Sequence, residues 1–317
     1  MKLQTQISIP EEKHNPIDYH STILLVGSCF SMNIGNKLAY YKFQTTQNPF
    51  GILFHPKSIE KLITNTVNEK EYTEKDIFFL NERWHCFDAH SNLSSVDKNE
   101  LLSNLNSAIK STHHQIKKSS HIIITLGTAW TYRNIETNTT VANCHKVTQK
   151  KFVKEILSID EITECLEGII TLIKSINKNT SFVLTVSPIR HLKDGFIENQ
   201  QSKSHLISAI HQIINNRKKI HYFPSYELMM DELRDYRFYE EDMIHPNRTA
   251  INYIWNKFSG VWITEKSKET MKEISTIQNG LSHKPFNPNS IQHQQFIKKL
   301  ENKIEILKKT HPFLNFM

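Results

Sequence analysis

The chain has 317 residues, 38% hydrophobic and 22% charged, with a formal net charge of +7 and an isoelectric point near 9.0. That composition excludes a disordered or fibrous chain and suits one large domain, or a domain with an appendage. The basic residues are scattered or lie near the C-terminus with no run of five, so the charge reads as a solvated surface and no nucleic-acid partner is expected.

Residues 1–21 read as a lead-in whose acids and prolines leave no apolar core of the signal-peptide kind. A β-prone run at 23–26 is broken by Gly27; Ser28 and Cys29 follow, and a helix is predicted over 31–40. The stretch 43–54 predicts a short second strand and a loop ending at Gly51. A helix over 56–68 carries Ile59, Leu62, Ile63 and Val67 at helical spacing. Residues 78–93 mix aromatics, His and Asp without a helical period and read as a hairpin or lid, followed by a helix over 96–117. The apolar run 121–126 is the clearest buried strand, closed by Gly127-Thr128-Ala129-Trp130. An irregular section then ends in Asn143-Cys144-His145-Lys146.

A long helix is predicted over 158–174, and a strand over 181–186 ends in Ser187-Pro188-Ile189-Arg190-His191. Next come a helix at 200–217, a strand at 220–223 and a helical stretch at 226–234. The loop from Glu240 to Asn247 enters a helix over 248–258. The tail from 271 is Lys-rich; its last helix carries Phe296, Leu300, Ile304 and Leu307 in one stripe, suited to packing on the domain or pairing with a second copy. Alternating strands and helices imply a largely parallel sheet with helices on both faces. The expected division is a main domain over 1–262 and a helical extension over 263–317.

No apolar run reaches the roughly 18 residues of a membrane span. The four cysteines, Cys29, Cys86, Cys144 and Cys165, lack the CxxC spacing of zinc or thioredoxin-type sites. So few cysteines suit a reducing compartment, and a cytoplasmic location is expected.

Four predicted strands end in polar or glycine-bearing turns, which share one edge of a parallel sheet. Gly27 permits a sharp turn, placing Ser28 where the N–H groups of the next helix favour negative charge. Ser28 there reads as a nucleophile or, more simply, as a helix cap. Asp242 and His245 stand three residues apart at a helix entry, a spacing that lets the carboxylate orient the imidazole as a base. The plain alternative is a capping Asp beside a surface His. Asn143 and His145 could wall a site or form a turn. Arg190 and His191, past a strand end, suit an anionic or polar substrate group. Trp84, His85, Asp88 and His90 could form a sugar-stacking, polar rim, although ordinary packing is the simpler account of the aromatics. Cys29 is a rival nucleophile, but its side chain should point away from that of Ser28.

The order of these blocks resembles the SGNH (GDSL-like) hydrolase superfamily. Val26-Gly27-Ser28-Cys29-Phe30 looks like the signature of the GSCFA family within it. Asn48-Pro49-Phe50-Gly51, Thr125 to Trp130, Val141 to Lys146, Ser187 to His191 and Asp231 to Tyr239 extend the resemblance over about 20–260. It implies a flavodoxin-like α/β/α sandwich with Ser28 as nucleophile, His245 as base and Asp242 as its partner. It also implies oxyanion donors from the Ser28 N–H, a glycine matched by Gly51, and an Asn. The superfamily's Gly-x-Asn-Asp block stands here with Ala129 in the Asn position, leaving Thr128, Asn48 or Asn143 to replace that donor. The expected activity is removal of an O-acyl group from a carbohydrate or related metabolite, with no metal or organic cofactor. The alternatives are an acyltransferase using the same site, and a non-catalytic module binding an anionic glycan through Arg190 and Lys146.

Overall fold

The computed structural model describes residues 5–316. The chain begins with β1 (Thr22–Gly27), α1 (Cys29–Tyr40), β2 (Gln44–Gln47), α2 (Pro56–Val67), β3 (Phe78–Leu80), β4 (Arg83–His85), α3 (Lys98–Lys118) and β5 (His121–Leu126). It continues with β6 (Trp130–Asn134), β7 (Thr139–Val141), β8 (Phe152–Ile156), α4 (Ile159–Ile176), β9 (Ser181–Val186), α5 (Phe196–Ile213) and β10 (Ile220–Tyr222). The last elements are α6 (Ser225–Glu227), α7 (Arg248–Trp262), α8 (Glu265–Ser282) and α9 (Ile291–Thr310).

Five strands form one parallel sheet in the order β10-β9-β5-β1-β2. Renumbered along the chain and read from β2, this is 2-1-3-4-5, the flavodoxin-like order. The pleat sorts the side chains of these apolar strands onto two faces. Leu24, Val26, Ile122 and Ile124 pack with Ile63 of α2, Leu105 of α3, Leu166 of α4 and Leu206 of α5. Ile23, Leu25, Ile123 and Val183 pack with Ile34 of α1, Ile254 and Phe258 of α7, and Ile274 of α8. The result is a three-layer α/β/α sandwich. Helix starts follow local chemistry: Ser158 and Glu161 form a capping box on α4, and His55 accepts the Ser58 N–H at 3.1 Å where Pro56 opens α2.

Two segments differ from the sequence reading, the section after β5 and α8. The section after β5 is not irregular: β6 pairs antiparallel with β7 and β8, forming a small sheet of its own. Its outer face is polar, with Arg133 bonded to Glu155, so no apolar period marks it. The helical stretch expected after β10 is present as α6 followed by a π-helical turn over Leu228–Glu232. Helix α8 was not predicted. Only Met271, Ile274 and Ile277 of its apolar residues are buried, a sparse stripe in a Lys- and Glu-rich sequence. The predicted hairpin is present as β3–β4. The last helix packs on its own chain: Leu300 and Leu307 are buried, and α8 approaches it at Gly280, where a side chain would meet Leu300. No helix among the described residues is long and apolar enough to cross a membrane.

Candidate active site

The turn from β1 into α1 sits where the sheet order reverses, between β1 and β5, the place where such sheets bind ligands. Gly27 has φ +133°, and a Cβ there would stand 2.1 Å from the Thr125 carbonyl oxygen. No other residue fits so close to the neighbouring strand. Asn48 clamps this turn: its Oδ1 accepts the Gly27 N–H at 2.9 Å and its Nδ2 donates to Ser31 Oγ at 3.0 Å. Ser28 occupies the capping position of α1, yet its side chain makes no capping bond. The residue is 0% exposed, and its hydroxyl has no partner among the described residues.

Asp242 and His245 lie in the loop before α7. One carboxylate oxygen of Asp242 accepts the N–H groups of Ile244 and His245, each at 2.9 Å; the other lies 2.5 Å from His245 Nδ1. The His245 N–H first, then its imidazole and the Ile244 N–H, hold the Asp242 carboxyl down to about 2. Arg190 fixes the loop from the other side. Its guanidinium donates to the Met243 carbonyl and stacks 4.3 Å over the Tyr239 ring.

These elements border a cleft of about 540 Å³, whose lining includes Cys29, Thr128, Asn143, Arg190, His191 and His245. Ser28 is buried and does not line the cleft, but its neighbour Cys29 does. No hydrogen bond joins Ser28 to His245. Burial pushes the Cys29 thiol up, so it is not an activated thiolate.

A model of the GSCFA family matches residues 22–258. The chain belongs to the GSCFA family. A model of the C-terminal domain of GSCFA domain proteins matches residues 274–317, which include α9. No curated protein matches the chain. In this GSCFA chain the family match runs from β1 into α7, and so takes in Ser28, Asp242 and His245.

Most of the expected oxyanion donors have partners within the fold. The Ser28 N–H donates to the Thr125 carbonyl at 2.9 Å, and the Gly51 N–H to the Asn48 carbonyl at 2.8 Å. Both are spent on the fold: the first ties the β1–α1 turn to the neighbouring strand β5, and the second closes the loop after β2 on itself. Both ends of the Asn48 amide are engaged in the clamp already described. The Thr128 hydroxyl bonds Ser202 Oγ at 3.0 Å and accepts the Trp130 N–H at 3.1 Å. Asn143 lines the cleft, with its Oδ1 accepting the His145 N–H at 2.8 Å.

Of the expected substrate-binding residues, Arg190 and His191 reach this cleft. His85 and His145 instead line a second, polar cavity of about 650 Å³, whose wall also includes Asn143. His85 is satisfied on both ring nitrogens, by Ser94 Oγ at 2.7 Å and the Leu80 carbonyl at 3.0 Å. His145 bonds the Cys86 carbonyl at 2.7 Å, and burial pulls it down to about 4. Trp84 packs on the Phe79 ring at 5.2 Å and beneath Lys98 at 5.8 Å, which is a packing role rather than an open stacking rim.

The sequence reading missed Lys203. This α5 residue is 0% exposed and donates to the Gly127 and Ser187 carbonyls, each at 2.7 Å. It ties together the carboxyl ends of β5 and β9, and burial pulls it down to about 7. A signal was available: Lys203 falls on the helical stripe of Asn199, Leu206 and Ile210, which turns inward.

Proposed function

We propose that this protein is a serine ester hydrolase of the SGNH type, removing an O-acyl group such as acetyl from a carbohydrate or related metabolite. Ser28 attacks the ester carbonyl and His245 takes its proton, imidazole being a base suited to neutral pH. Asp242 fixes the tautomer through Nδ1 and stabilises the imidazolium. Loss of the alcohol leaves an acyl-enzyme that water hydrolyses; a sugar hydroxyl in place of water makes the same site an acyltransferase. The carrying observation is the 2.5 Å Asp242–His245 pair, whose imidazole lines the same cleft as Cys29, the residue after Ser28. The 2-1-3-4-5 strand order supports the SGNH placement. The four free thiols support a reducing, cytoplasmic location.

The second reading, a binding module for an anionic glycan, draws on one observation: the Ser28 hydroxyl is sealed from the cleft. Intact-mass spectrometry after fluorophosphonate treatment separates the two. The hydrolase reading expects one adduct on the wild type and none on Ser28→Ala. Because Ser28 must turn into the cleft first, small probes should react faster than bulky ones. A folded wild type that gains no adduct overturns the hydrolase.

A further inference from the structure

An oxyanion forming at Ser28 needs a hydrogen-bond donor, and the backbone donors that the motifs suggest are taken. The N–H groups of Ser28 and Gly51 are bonded within the fold, and those of Gly127 and Thr128 both donate to the Phe54 carbonyl, at 2.8 and 3.1 Å. The Ala129 N–H donates to Ser202 Oγ at 2.7 Å. Beside Ser28, however, lies another unused polar atom. His191 Nε2 is buried without a partner among the described residues, as is Ser28 Oγ. The two groups flank the same face of Gly127: a Cβ built there would stand 3.2 Å from Ser28 Cβ and 3.3 Å from His191 Nε2. Buried polar atoms left unpaired are costly, and two in one spot point to a ligand group that pairs with them.

The imidazole is held from several sides. Its ring meets Phe54 edge-on at 5.8 Å, and its backbone N–H donates to Asn199 Oδ1 at 2.8 Å. Lys203 anchors the carbonyls of Gly127 and Ser187, so it sets both the glycine and the segment carrying His191. Burial first, then the charges of Lys203 and His245, pull His191 down to about 3. So weak a base is a poor acceptor for the serine proton. A neutral imidazole protonated at Nε2 is instead a fixed donor that needs no reorganisation during the reaction.

We propose that His191 Nε2–H is the oxyanion donor of this site, taking the place of the amide absent at Ala129; this rests on the hydrolase reading. Ser28 Oγ bonds to the carbonyl carbon while its proton passes to His245 Nε2 and the carbonyl π pair moves onto oxygen. His191 hydrogen-bonds that oxygen without giving up its proton. As the carbonyl re-forms, the C–O bond to the alcohol breaks and the alcohol leaves with the proton from His245. Water repeats the sequence on the acyl-enzyme and restores the Ser28 hydroxyl.

The test compares wild type, His191→Leu and His191→Gln in p-nitrophenyl acetate hydrolysis and in fluorophosphonate labelling of Ser28, with melting curves for each. His191→Leu should lower kcat by about 10²–10³, with KM little changed and the pH profile unmoved. His191→Gln, which keeps an N–H donor, should recover part of the loss. Nitrogen NMR of the wild type should show a neutral His191 protonated at Nε2 at pH 6; a proton on Nδ1 instead overturns the assignment. A folded His191→Leu within threefold of wild type overturns it as well. Loss of the pH dependence in that variant would make His191 the base and overturn the donor role. If the wild type gains no adduct and turns over no ester, the hydrolase reading falls and the proposal falls with it. If the wild type reacts at Ser28 but His191→Leu is undiminished, only the proposal falls.

Discussion

Asp242 and His245 are each nearly half exposed, at 45% and 49%, yet Asp242 accepts three hydrogen bonds from its own loop. An exposed pair adds little to stability, because water screens its charges. Its value is geometric: the carboxylate selects the imidazole tautomer. Asp242→Asn should therefore lower kcat by about 10³–10⁴ while leaving the melting temperature unchanged; steady-state kinetics and calorimetry check the two halves. Because the Asp242 carboxyl is held down to about 2, it stays ionised throughout the working pH range and sets no limb of the pH profile there. The pair was legible because Asp-x-x-His closes on itself within one turn of chain. The environments of Ser28 and His191 were not: burial and contact across Gly127 come from segments far apart in sequence.

Among the elements, α5 has an unexpected part. Its buried Lys203 bridges two strand ends, and a neutral amine has two N–H groups, matching its two carbonyl acceptors. Burial lowers the folded-state pKa from 10.5 to about 7, so the unfolded chain binds more protons between those values. Stability from this group therefore rises with pH over that window, by about 1 kcal/mol per pH unit; below the window the desolvation penalty is present in full. Lys203→Met should lose this rise, so its stability relative to wild type worsens from pH 7 to pH 10. Urea unfolding at both pH values measures this, and parallel profiles for the two proteins would refute it. The β7-β6-β8 sheet makes a related point. Its strands are short, and the buried positions of β6 are the polar Thr131 and Asn134, so no apolar alternation marks it in the sequence.

At the level of the whole molecule, neutral histidines are built into the interior. His55 caps α2 and bonds the Val141 carbonyl at 3.0 Å, and burial pulls both it and His145 down to about 4. As pH falls below the ordinary histidine value, the unfolded chain takes up these protons and the folded chain does not. Stability present above about pH 6.5 should drain away toward pH 4, with His55 and His145 together contributing about 3 kcal/mol per pH unit while both differ and His191 adding to the fall. Urea midpoints at pH 7 and pH 5 check this. His55→Gln combined with His145→Gln should flatten the fall, and an unchanged fall would refute the assignment.

The sequence by itself determined the parallel α/β sandwich, because buried strands and amphipathic helices write their periods into the chain locally. It also marked Gly27, Asp242 and His245, whose roles follow from backbone conformation or from neighbours three residues away. Only the tertiary structure decided which donors are free. The backbone N–H groups that the motifs suggested donate to oxygens of Thr125, Phe54 and Asn48 and are consumed there. It also decided that α8 joins the core through three side chains, that Lys203 is buried against the Gly127 carbonyl, and that His191 Nε2 and Ser28 meet about Gly127. The reason in each case is that satisfaction and burial are set by partners distant along the chain, and spacing does not encode them.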